Sequence, residues 1–161
     1  MNATHETAAP IPSTVAMVTQ ATWFLKQPTL LGHQDVKAFE ADFRTFVEHL
    51  IPQVEELAAA RSRDDVPAQV ALAGVAEARR RLIEPEAAGL KGEVARVQRL
   101  ARSVIALCTH YDALTGISMC VVCNRVIDGD DEPWEPYDYA SPSGGAARSG
   151  GVHAACATRR R

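Results

Sequence analysis

Cys120-Val-Val-Cys123 and His153-Ala-Ala-Cys156 carry the side chains whose types and spacing point most directly to chemistry. Zinc favours thiolate and imidazole ligands arranged as a tetrahedron. Across a C-x-x-C turn both sulfurs can face one point, and the amides that follow the first cysteine can donate to them. His153 and Cys156 are three residues apart, so on a helical turn they share a face. Val152 follows two glycines and precedes the His-Ala-Ala-Cys-Ala run, which reads as a helix start. Cys120, Cys123, His153 and Cys156 together complete a shell. They predict a closed, structural Cys3His site for one Zn2+ per chain, with no position left for substrate or water.

Twenty-nine residues lie between the two ligand pairs, against roughly 12–20 in the commonest zinc patterns. The excess reads as a flexible Gly/Ser loop at 141–151. Without it, Arg125–Asp128, a turn at Gly129–Pro133 and Trp134–Tyr139 make one hairpin. Knuckle, hairpin and a helix bearing the last two ligands resemble a treble-clef zinc finger. A Cys120–Cys123 disulfide is the competing reading. Met1–Pro12 has neither the basic n-region nor the apolar core of a secretory signal, so a reducing compartment and metal binding are favoured. A thioredoxin-like redox pair would need a βαβ setting, and none is predicted.

The elements that must carry this site are predominantly helical. The chain has 161 residues, 47% of them hydrophobic, and a net charge of −3. That suits one ordinary domain with a small appendage. It gives no general bias toward polyanions. No apolar run approaches the ~20 residues of a membrane span. Residues 1–12 read as a disordered tail, 13–115 as a helical bundle and 116–161 as the zinc module.

Four helices are expected. Ser13 caps the first, which runs to about Gln27 before Pro28 and offers Val15, Val18, Phe24 and Leu25 as its apolar face. The second spans Asp35 to about Arg61 with a stripe of Phe39, Phe43, Val47, Leu50, Val54 and Leu57. Pro52 should kink it at the Glu48 carbonyl. The third opens on Asp65 with Pro67 in its first turn and packs through Ala71, Val75, Ala78 and Leu82. Gly74 is costly there unless helices cross closely. The fourth spans Leu90–Leu114, with Val97, Leu100, Val104, Leu107, Cys108 and Tyr111 on one face and Gly116 as its stop. An antiparallel bundle of three to four helices, followed by the small zinc module, is the expected fold.

Leu50-Ile-Pro-Gln-Val-Glu-Glu-Leu57, the run from Asp65 to Leu82, and Leu100–Tyr111 resemble an uncharacterised helical family of actinobacteria labelled natural-product biosynthesis proteins. The resemblance spans residues ~35–115, implies a cytoplasmic accessory or regulatory protein, and brings no catalytic residues. The cysteine-bearing tail lies outside it.

Other residues carry weaker signals. Cys108 reads as core, and His49 and His110 as boundary residues. Arg79, Arg80, Arg81, Arg96, Arg99 and Arg102 give the third and fourth helices basic faces, interspersed with glutamates. Trp134 should pack the tail, while Tyr137 and Tyr139 could offer a recognition surface. Asp128–Asp138 is acidic, which disfavours that face on a phosphate backbone, and Arg159–Arg161 is a short basic end. No P-loop, G-x-S-x-G or H-E-x-x-H motif occurs, and the zinc-deaminase order of ligands is missing. The sequence therefore favours a non-enzymatic zinc-binding protein acting on an unidentified protein partner. The alternative is a nucleic-acid-binding regulator using the zinc module and the arginine faces.

Overall fold

The computed structural model describes residues 11–116, 118–123, 125–127, 133–139 and 148–158. The expectations for Met1–Pro10, Asp128–Glu132, Ser141–Ala147 and Arg159–Arg161 fall outside those residues. Four long helices come first: α1 (Thr14–Leu25), α2 (His33–Ala59), α3 (Val66–Leu82) and α4 (Gly89–Thr115). Their ends follow local chemistry. Ser13 Oγ accepts from the Ala16 amide at 3.3 Å, and an Asp65 carboxylate oxygen accepts from the Ala68 amide at 2.9 Å. Each satisfies an amide that has no carbonyl partner in the first turn. Pro67 sits in the first turn of α3, where its missing N–H costs nothing. Gly116 ends α4 with φ +76°, a conformation that L side chains rarely adopt. Pro52 lies inside α2 without ending it.

The pairings between helices define the directions. Gln20 bonds Asp42 and Phe24 packs on Phe39, so α1 and α2 run oppositely. Arg79 pairs with Glu55 while Arg44 reaches the Leu82 carbonyl, so α3 opposes α2. Lys37 pairs with Glu93 and Arg61 reaches the Leu114 carbonyl, so α2 and α4 are parallel. Successive helices thus alternate in direction as expected, and α4 packs against each of α1, α2 and α3. The parallel α2–α4 contact was not foreseen from short loops, which constrain only chain neighbours.

The core holds Phe43, Val47, Leu50 and Val54 of α2, Ala71, Val75 and Ala78 of α3, and Val97, Leu100, Val104, Leu107 and Cys108 of α4. These belong to the stripes read from the 3.6-residue period, while Phe39, Leu57, Leu82 and Tyr111 of those stripes are only partly buried at the edge of the core. For α1 the expected face is corrected. Met17, Ala21 and Phe24 are buried, Val18 and Leu25 are half-buried, and Val15 is 42% exposed. Seven residues back from Phe24 is Met17, whereas Val15 falls on another side of the helix. The close crossing expected at Gly74 is present: a Cβ there would lie 2.6 Å from His110 Nε2. Among the described residues, no helix is long and apolar enough to cross a membrane.

Beyond Gly116 the described residues form two small hairpins and one helical turn. β1 (Ser118–Met119) pairs antiparallel with β2 (Val126–Ile127), and β3 (Trp134–Tyr139) with β4 (Arg148–His153). α5 (Ala154–Ala157) follows β4 directly. The expected hairpin between β2 and β3 is therefore replaced by two others. The C-x-x-C turn itself joins β1 to β2, and β3 takes its partner from the stretch assigned to the loop. Arg148–Gly151 belong to β4, so the Gly/Ser loop cannot extend to 151. Glycine is required at 151 for packing: a Cβ there would stand 2.7 Å from Ile127 Cδ1 and 3.4 Å from the Trp134 ring. The tail has its own core of Cys120, Ile127, Val152 and Cys156, separate from that of the bundle.

Candidate metal centre

Cys120 and Cys123 stand on the turn between β1 and β2. The Cys120 amide donates to the Arg125 carbonyl at 2.8 Å, closing that turn. The Val121 amide donates to the Gly151 carbonyl at 3.0 Å, which ties the turn to β4 just before His153. On the other side, the Ala154 amide donates to the Pro133 carbonyl at 2.9 Å and fixes the start of α5. These backbone bonds bring the distant ligand pairs together. One donor atom from each of Cys120, Cys123, His153 and Cys156 lies within 4.8 Å of the others. All four cysteines of the chain are free, with no disulfide between Cys120 and Cys123 in the structure.

The histidine is oriented by a group the sequence did not reveal. His153 Nε2 lies 3.1 Å from the Val126 carbonyl oxygen. A carbonyl only accepts, so Nε2 carries the proton and Nδ1 presents its lone pair. Nδ1 lies 3.3 Å from Cys123 Sγ and 4.0 Å from Cys156 Sγ. A metal-binding histidine typically donates its other N–H to just such an acceptor, which holds its tautomer and ring. His153 is the last residue of β4 and the N-cap of α5, with φ −57° and ψ 139°. It does not lie on the helix with Cys156, as its spacing had suggested.

The sulfur environments favour thiolates at the turn. Burial pushes the Cys120 thiol up, but the amides of Cys123, His153 and Val122 outweigh it and bring it below its ordinary value. The Arg125 amide and then its side chain lower Cys123 to about 6. Cys156 is raised, first by burial and then by the neighbouring sulfurs of Cys123 and Cys120. Crowded sulfurs repel one another as anions, and a bound cation is the ordinary remedy for that repulsion. The donor set and the satisfied Nε2 both fit a metal ion. Four protein donors leave no vacant position in a tetrahedral shell.

Cys108 is apart from this group. It is fully buried in the bundle, and burial, then the Asp112 charge, push its thiol up to about 12. Trp134 is half exposed while its ring edges over Gly151. Tyr137 and Tyr139 are placed by backbone pairing alone, opposite Gly150 and Arg148.

The arginine faces look different in three dimensions. Arg96 is 2% exposed and is removed from the candidate surface. Its guanidinium bonds Glu93 at 2.6 and 2.9 Å and also Glu40. Lys37 joins the same group through Glu40, Glu86 and Glu93. The carboxylates Glu40, Glu86 and Glu93 lie close enough to suggest a second cation site, but Lys37 and Arg96 already occupy that role. Arg79 makes a two-pronged pair with Glu55 at 2.6 and 2.9 Å. Arg80 bonds Glu77, Arg81 bonds Glu77 and Glu84, and Arg99 bonds Glu84. Arg102 is exposed. A run of like charges in sequence does not show which acids face it from other helices.

A family model matches residues 15–116. The chain belongs to a family of unknown function, DUF6415. The match begins in α1 and stops at the glycine that ends α4. It therefore covers the bundle and leaves the metal centre outside the matched residues. Comparison with curated proteins and with solved structures returned no match.

Proposed function

We propose that this chain is a non-enzymatic accessory or regulatory protein whose tail is a structural zinc module for binding a protein partner. The single observation that carries this is the convergence of Cys120, Cys123, His153 and Cys156, with His153 Nε2 already committed to the Val126 carbonyl. Three sulfurs and one imidazole select zinc over the harder cations, which prefer oxygen. A full protein shell holds shape and leaves nothing for substrate. The order of turn, hairpin and helical turn supports the treble-clef reading. The resemblance of the bundle region supports a cytoplasmic role beside natural-product biosynthesis.

The nucleic-acid alternative rests on weaker ground, because Arg79, Arg80, Arg81, Arg96 and Arg99 are engaged by glutamates. A test begins with metal content: about one zinc per purified chain is expected for one closed site. Affinity capture from the native host should then recover a partner with the wild-type chain and lose it with Cys123→Ser. Equal recovery with both chains would remove the tail from the interaction. A salt-dependent shift of DNA or RNA would favour the alternative.

A further inference from the structure

The metal ligands are unequal in their exposure. Cys120 is 0% and Cys156 8% exposed, and His153 is 2% exposed. Cys123 alone among them is half-buried. Oxidants reach the more accessible sulfur first. Cys120 lies on the same four-residue turn, with its sulfur within 4.8 Å of the others. Closing a loop this short costs little chain entropy.

From this we infer that the centre is a peroxide-sensitive switch, with Cys123 the point of attack and Cys120 the sulfur that resolves it. The inference rests on the zinc reading above. The Cys123 thiolate attacks one oxygen of hydrogen peroxide. An S–O bond forms, the O–O bond breaks, and hydroxide leaves. The Cys120 thiolate then attacks the Cys123 sulfenic sulfur. An S–S bond forms, the S–O bond breaks, and a second hydroxide leaves. Two electrons pass from the two sulfurs to one peroxide, and the hydroxides take protons from solvent.

The structural consequence is confined to the tail. The disulfide removes both ligands of the turn and leaves only His153 and Cys156 on the β4–α5 side. Cys120 and Cys156 belong to the tail core with Ile127 and Val152, so losing the metal loosens that core. Cys108 is fully enclosed in the bundle and serves as an internal control.

The test uses the full chain loaded with zinc and treated with hydrogen peroxide. Metal release is followed with a coloured chelator, thiols are mapped by alkylation and mass spectrometry, and helicity is followed by circular dichroism. Expected are one zinc released per chain, a Cys120–Cys123 disulfide, Cys108 still reduced, and helicity largely retained. Reductant with zinc should restore the starting state. Cys123→His keeps a four-ligand set without the more accessible sulfur and should slow release by about tenfold or more. Cys108→Ala removes a sulfur outside the centre and should leave the rate within about twofold.

A disulfide involving Cys156, or equal rates in wild type and Cys123→His, would overturn the assignment. If Cys123→His does not load zinc, the disulfide map of the wild-type chain decides. A chain that never binds zinc defeats the metal reading itself. A zinc-loaded chain that keeps its metal under peroxide defeats only the switch.

Discussion

The bundle and the tail solve the same problem with different means. In the bundle, four helices bury stripes of Phe, Leu, Val and Ala against one another, and a chain of this size can hold itself together by apolar burial. Among its described residues the tail encloses Cys120, Ile127, Val152 and Cys156, and half of that small core is ligand. Apolar area of that size does not offset the entropy of ordering two hairpins. A structural zinc in finger peptides contributes roughly 10–16 kcal/mol apparent at neutral pH. The difference also appears in the polar groups. The bundle's buried charges, Arg96 and Glu93, are satisfied by each other and by Glu40 and Lys37. The tail's sulfurs repel one another until a cation is bound.

The sharpest way to break this contrast is to remove the metal. A strong chelator or Cys123→Ser should unfold the tail and leave the helical signal largely intact, since about 10–16 kcal/mol of apparent binding energy supports the tail alone. Comparable loss of helix by circular dichroism would join the two regions into one cooperative unit. Next in size is the buried ion group. Arg96→Ala should cost the bundle up to about 3–5 kcal/mol in denaturant melts, by leaving Glu93 and Glu40 to share Lys37 alone. Metal affinity should be unchanged, because Arg96 touches no ligand.

Acid should separate the regions by order. Metal ligands must shed protons to bind, so the tail should release its metal first as pH falls below neutrality. The Arg96 guanidinium holds the Glu93 carboxyl well below the usual carboxylate range, with the Ala87 amide and Lys37 adding to it and burial opposing. A depressed value gives stability that is full above the unfolded carboxylate pKa, about 4.3, and declines as pH falls below it. Bundle melting temperature should therefore hold to about pH 4 and then drop, and Glu93→Gln should flatten that drop. A bundle that melts before metal release would reverse the assignment.

The smallest effect concerns the α3–α4 crossing. Gly74→Ala should destabilise by about 1–2 kcal/mol through contact with the His110 ring. In a His110→Ala background the same change should stabilise by up to about 1 kcal/mol, the helix propensity gain. A double-mutant cycle without that change of sign would place the constraint at Gly74 elsewhere.

Much of this molecule was determined by residues acting locally. Ser13 and Asp65 as caps, Gly116 as a stop, and the apolar period of α2, α3 and α4 each depend on neighbours within a turn or two, so they were legible from the chain. Gly74 was legible as well, because a mid-helix glycine needs a reason in packing. The ligand set was read the same way, since C-x-x-C and H-x-x-C declare their chemistry within four residues.

Tertiary structure decided what depends on partners far along the chain. Two-residue strands carry too little periodicity to choose a partner, so the pairing of β1 with β2 and β3 with β4 had to come from the fold. The Val126 carbonyl that orients His153 is a backbone group, and every residue has one. Arg96 looked like part of a basic face because its sequence neighbours Arg99 and Arg102 share its charge. Only the packing of α2 against α4 shows that Glu40 and Lys37 complete a buried group around it. Residue type and spacing determine what a side chain can bind. Which atoms stand across from it is set by chain segments dozens of residues away.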